Sequence, residues 1–123
     1  MAAPMTCLKK RDLLHNPNAS AEELKRLGKE YLEDGRAVDA LDFFEKAGDR
    51  EGITRIRDVS LEQGDTFLLQ QTAKLLQEPL SEKAWRTAGE KALGEGRFRQ
   101  ALTAFQALGD EQKIEEIQAQ LGA

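Results

Sequence analysis

Apolar residues recur at helical spacing from about residue 20 to 121, and no segment alternates as a strand does. Leu24, Leu27, Tyr31 and Leu32 mark one face of a first strong helix. Ser20 opens it, and Ser20-x-x-Glu23 reads as a capping box. Gly35 closes it. A second helix is predicted over about Ala37 to Ala47, with Val38, Leu41 and Phe44 as its apolar positions. Gly48 then stops the chain and Asp49 caps the next helix, about Arg50 to Gln63, which carries Ile53, Ile56, Val59 and Leu61. Gly64-Asp65 repeats the device before a helix over about Thr66 to Gln77, closed by Glu78-Pro79.

Ser81 caps a fifth helix that runs to about Gly94. Leu80 and Trp85 stand where a hydrophobic staple would place them. A sixth helix begins at Arg97 or Phe98, and Gly109-Asp110 breaks it. A last helix, about Glu111 to Leu121, shows Ile114, Ile117 and Leu121 on one stripe. Before all of these, a short helix is expected over about Thr6 to Leu14, ended by the residues before Pro17, with residues 1–5 frayed. The expected organisation is a short N-terminal helix and loop over 1–19, then a helical domain over 20–123.

The pattern repeats itself. Gly28, Leu32, Gly35 and Arg36 recur 61 residues later as Gly89, Leu93, Gly96 and Arg97. Ala40, Leu41, Phe44, Gly48 and Asp49 recur as Ala101, Leu102, Phe105, Gly109 and Asp110, and Ile53 and Ile56 as Ile114 and Ile117. These are 11 identities in 29 ungapped positions. Such repeats mark stacked helical hairpins, each too small to bury its apolar face alone. A glycine inside a helix costs about 1 kcal/mol against alanine. Gly28 and Gly89 are therefore expected to sit at close helix contacts, with Ala40 and Ala101 approaching from the partner helix. Phe44 and Phe105 are expected to fill the space between successive pairs.

Residues 24–47 resemble a tetratricopeptide repeat, whose pattern is W-x2-L-G-x2-Y followed by A-x3-F. Leu24 stands for the tryptophan, and Leu27, Gly28, Tyr31, Ala40 and Phe44 follow at the family spacing. The later copy has Trp85, Gly89, Ala101 and Phe105, with Ala88 and Ala92 replacing the leucine and tyrosine. The middle pair, Arg50 to Gln77, departs from the pattern, with Arg57 at the glycine position. The resemblance covers roughly residues 20 to 121. It implies an all-α fold, a short right-handed α-solenoid of antiparallel pairs with about seven helices. A helical-hairpin solenoid like those of trafficking coats is the competing subfamily. Residues 16–24 are also similar to one unit of a leucine-rich-variant repeat, whose iron–sulfur segment needs a cysteine cluster that is missing here.

Composition narrows the function. The chain of 123 residues is 33% charged with a net charge of −4, a poor match to a phosphate backbone, so nucleic acid is not the expected partner. The single cysteine, Cys7, allows no intrachain disulfide, and no run of about 18 apolar residues would span a membrane. The start, M-A-A-P-M-T-C-L-K-K-R, lacks the long apolar core of a secretory signal. A cytoplasmic location is expected. His15 is the only histidine, which leaves no multi-histidine metal site. Nothing brings Cys7 and His15 together, and Gly94-x-Gly96 is a helix end rather than a phosphate loop. No enzyme activity, metal or cofactor is expected.

What remains is the groove of a helical stack. In tetratricopeptide proteins the first helix of each pair lines the concave side. By that resemblance Lys25, Lys29 and Leu32, then Thr54, Asp58 and Leu61, then Arg86, Glu90 and Leu93 would face it. This mixture suits an acidic, partly apolar peptide. The asparagines of the clamp that grips C-terminal carboxylates are missing from these positions, so chaperone-tail binding is not carried over. Phe43 aligns with Ala104 and has two readings: cover for an adjacent helix, or an exposed aromatic anchor. The expected function is a non-enzymatic interaction module or adaptor that binds a peptide or partner protein on its concave face. The alternative is a structural homo-oligomerisation unit, such as a homodimer.

Overall fold

A computed structural model describes residues 7–122, with side chains from Lys10 onward. The readings for residues 1–5 and the packing of Cys7 and Leu8 lie outside this range. Eight helices and no strand are present among the described residues: α1 Cys7–His15, α2 Ala21–Glu33, α3 Ala37–Ala47, α4 Arg50–Gln63, α5 Thr66–Leu76, α6 Glu82–Gly94, α7 Phe98–Leu108 and α8 Glu111–Gly122. The all-α expectation is met.

Local chemistry explains the helix ends. Ser20 Oγ accepts from Glu23 N at 3.1 Å, and Ser81 Oγ accepts from Ala84 N at 3.1 Å. Asp49, Asp65 and Asp110 accept from the amides of Gly52, Leu68 and Lys113 at 3.1, 3.1 and 3.2 Å. Each satisfies an amide that has no partner inside its own helix. Gly48 and Gly109 close α3 and α7 in the left-handed region, at φ 66° and 71°, where a Cβ is costly. The two copies thus share their helix bounds at the 61-residue offset: Ser20 and Ser81 cap, and α3 and α7 both span 11 residues.

The chain forms two compact units, Met1–Ile56 and Arg57–Ala123, with the division inside α4. Lys10 on α1 donates to Asp39 and Asp42 on α3 at 2.6 and 2.8 Å, which ties the N-terminal helix into the first unit. In that unit α2 and α3 pair over a core of Leu24, Leu27, Tyr31, Ala40, Leu41, Phe43 and Phe44. Phe43 is fully buried and stacks on Tyr31, with ring centroids 5.3 Å apart. It covers the adjacent helix and is not an exposed anchor.

In the second unit α7 packs on both α6 and α8. Ala92, Ala101, Phe105 and Ile117 form its buried cluster. α5 joins through Thr66, whose Oγ1 donates to the Gln100 carbonyl at 2.6 Å. Arg97 donates to the carbonyls of Gln63 and Gly64 at 2.8 and 3.1 Å, clasping the turn before α5.

The expected glycine contacts are present, but their partners differ. A Cβ on Gly28 would fall 2.6 Å from the Phe44 ring, and one on Gly89 would fall 2.9 Å from Ala104 Cβ. Phe44 and Ala104, rather than Ala40 and Ala101, make the close approach. Phe44 also meets Gly52 of α4, where a Cβ would lie 2.5 Å from the ring. It fills the space between the first pair and the next helix, as expected.

Candidate functional site

Tight turns join α2 to α3 and α3 to α4, and residues of α2 and α4 come together beside Phe44. A cleft of about 280 Å³ opens between them. Its floor is Phe44 and Gly52, its α2 wall Glu22, Lys25 and Lys29, and its α4 wall Asp49, Glu51 and Arg55. At Gly52 the Phe44 ring fills the place a side chain would take, since a Cβ there would lie 2.5 Å from it.

The charges separate along the helices. Glu22, Asp49 and Glu51 stand at the N-terminal ends of α2 and α4, where acidic groups suit the helix dipoles. Lys25, Lys29 and Arg55 lie one to two turns further on. Asp49 is committed to the Gly52 amide. Among the described residues, none of Lys25, Lys29 and Arg55 takes part in an ion pair. Lys29 and Arg55 are exposed, and Lys25 is half-buried. Leu32, half-buried, continues the same α2 stripe past the cations.

Of the nine residues expected to face a groove, only Lys25 and Lys29 line this cleft. Thr54 sits one residue from Arg55, and its hydroxyl donates to the Arg50 carbonyl at 2.9 Å. Asp58, Leu61, Arg86, Glu90 and Leu93 belong to the second unit. There Asp58 is exposed beside Arg57 at 3.6 Å, Leu61 is half-buried, and Leu93 packs against the Phe105 cluster. Arg86 pairs with Asp110 at 3.3 Å and Glu90 is exposed. The Lys113 amide and then Arg86 hold the Asp110 carboxyl below its usual range.

Sequence reading missed Glu22, Asp49, Glu51, Gly52 and Arg55 as cleft residues. Gly52 carried the signal. It is a helix-interior glycine, and its propensity cost, like that of Gly28, calls for a close contact there as well.

The second copy has a different surface at the equivalent positions. Lys113 replaces Gly52. Charge reverses at three cleft positions: Glu22 becomes Lys83, Lys29 becomes Glu90 and Arg55 becomes Glu116. Where the sign is kept, as at Lys25/Arg86 and Asp49/Asp110, the second copy pairs the two groups internally.

No buried side-chain nitrogen or oxygen among the described residues lacks a hydrogen-bond partner. No group of three or more His, Cys, Asp or Glu among them could hold a metal ion, and no helix is long and apolar enough to cross a membrane. Comparison with protein-family models, with known proteins and with solved structures finds no match.

Proposed function

We propose that this chain is a non-enzymatic protein-interaction module, a short tetratricopeptide-like solenoid of right-handed sense that works in the cytoplasm. Its binding surface is the α2/α4 cleft, and its ligand is an acidic, partly apolar segment of a partner protein. The observation that carries this reading is the convergence of Lys25, Lys29 and Arg55 on one cleft without ion-pair partners among the described residues. Cations left unpaired beside a low-dielectric wall attract carboxylates more strongly than freely solvated ones do. Leu32 beyond them supplies apolar contact.

The test is fluorescence anisotropy with a labelled peptide of alternating glutamate and leucine, against a glutamine–leucine control. At low salt the acidic peptide binds at least tenfold more tightly than the control. Lys25→Glu/Lys29→Glu/Arg55→Glu abolishes the difference while the circular dichroism spectrum stays that of wild type. Equal binding of the two peptides, or full retention by the triple variant, overturns the assignment.

A further inference from the structure

The two copies fold alike but differ in surface charge, and the difference is complementary. We propose that the α2/α4 cleft of one chain takes the α6/α8 face of a second copy of the same chain. This rests on the reading of the cleft as a protein-binding surface and names its partner.

The first observation is the sign reversal. Glu22, Lys29 and Arg55 in the first copy are Lys83, Glu90 and Glu116 in the second. The copies also start their helices at equivalent residues, so reversed charges occupy equal heights. With the helices of two chains parallel across the contact, Lys29 and Arg55 stand level with Glu90 and Glu116, and Glu22 stands level with Lys83. The antiparallel arrangement would set Lys29 and Arg55 against Lys83, so charge also selects the direction.

The second observation is which groups are left uncommitted. In the first copy Glu22, Lys29 and Arg55 make no ion pair among the described residues. In the second, Arg86 is neutralised by Asp110, while Lys83 and Glu90 make no ion pair among the described residues. Glu116 has a contact of 3.8 Å with Lys113, both of them partly exposed, which is worth little in solvent.

Multi-angle light scattering on the full chain tests this, over about 10 to 500 µM and at about 20 mM and 500 mM salt. At low salt the mass of the wild type rises above the 13.7 kDa of one chain as concentration increases, and high salt returns it to that value. Lys29→Glu/Arg55→Glu and Glu90→Lys/Glu116→Lys each stay at one-chain mass. An equimolar mixture of the two variants associates again, because the acidic face of one meets the basic face of the other. All four positions are exposed, so the variants keep the wild-type melting profile. Two results overturn the proposal: a wild type that remains at one-chain mass throughout, or association that neither variant weakens. The peptide titration, run on that single-chain species, decides separately whether the cleft binds an acidic segment.

Discussion

The ring of Phe44 lies where a side chain on Gly52 would have to go. A Cβ built on Gly52 falls 2.5 Å from Cδ1 and 2.6 Å from Cγ of that ring. Phe44 is itself buried, and a Cβ built on Gly28 of α2 would fall 2.6 Å from the same ring. The ring therefore sets the separation of α2 and α4, and with it the width of the cleft.

Gly52→Ala is expected to destabilise the chain. The methyl gains roughly 1 kcal/mol of helix propensity. It forces a packed ring to move, which costs about 1–3 kcal/mol. The net loss is of order 1 kcal/mol. Gly94→Ala is the control, because its Cβ meets nothing within 4 Å, and its sign is opposite. Urea midpoints followed by circular dichroism separate the two. Equal shifts would show that Phe44 yields freely.

Arg97→Ala is expected to cost about 2 kcal/mol, since the guanidinium is a charged donor to two turn carbonyls, Gln63 and Gly64. Its counterpart Arg36 instead pairs with Asp39 at 3.0 Å and lies over the Tyr31 ring at 4.9 Å. Hydrogen exchange should speed up at the amides of the α4–α5 turn in Arg97→Ala and leave that turn unchanged in Arg36→Ala. Protection retained in Arg97→Ala would count against the clasp.

The contact between α1 and α3 should depend on pH at both extremes. Burial alone would raise the Asp39 carboxyl, but hydrogen bonds and charge from Lys10 and Arg36 outweigh it and hold the group below its ordinary 3.8. The stability it contributes is present above pH 3.8 and is lost as pH falls through the lower, folded value. For Lys10, burial alone would lower the ammonium, but hydrogen bonds to Asp39 and Asp42 raise it above 10.5. Its contribution is complete below pH 10.5 and is lost as pH rises through the folded value. A carbon-detected titration of Asp39 by NMR should show a midpoint below 3.8 in wild type and an upward move in Lys10→Met. An unmoved midpoint would assign the shift to Arg36 alone.

The helix ends were legible in the sequence because capping is local. Ser20 and Ser81 each reach an amide three residues on, and so do Asp49, Asp65 and Asp110 in the Gly-Asp turns. Such contacts lie within one helical turn, and their spacing is written along the chain. The 61-residue repeat carried the same information twice, and α2 and α3 match α6 and α7 in their bounds.

Side-chain neighbours across helices were not legible in this way. Thr54 was the α4 residue expected nearest this place, and Glu51, Gly52 and Arg55 are the α4 residues that line the cleft. Each residue turns a helix by about 100°, so a register set by the nearest family pattern misses the face when it is off by one. Phe43 was open to two readings because its second-copy counterpart is Ala104; Tyr31 and Lys10 cover it in the fold.

By itself the sequence determined the helices, their turns and the existence of two like copies, since these follow from periodicity and contacts within a few residues. Tertiary structure alone decided which side chains share a cleft. Phe44 touches Gly28 and Gly52 at once, and Lys25 and Lys29 meet Arg55 across it. Those relationships depend on how far apart helices settle around a ring, which is a property of packing volume rather than of spacing along the chain.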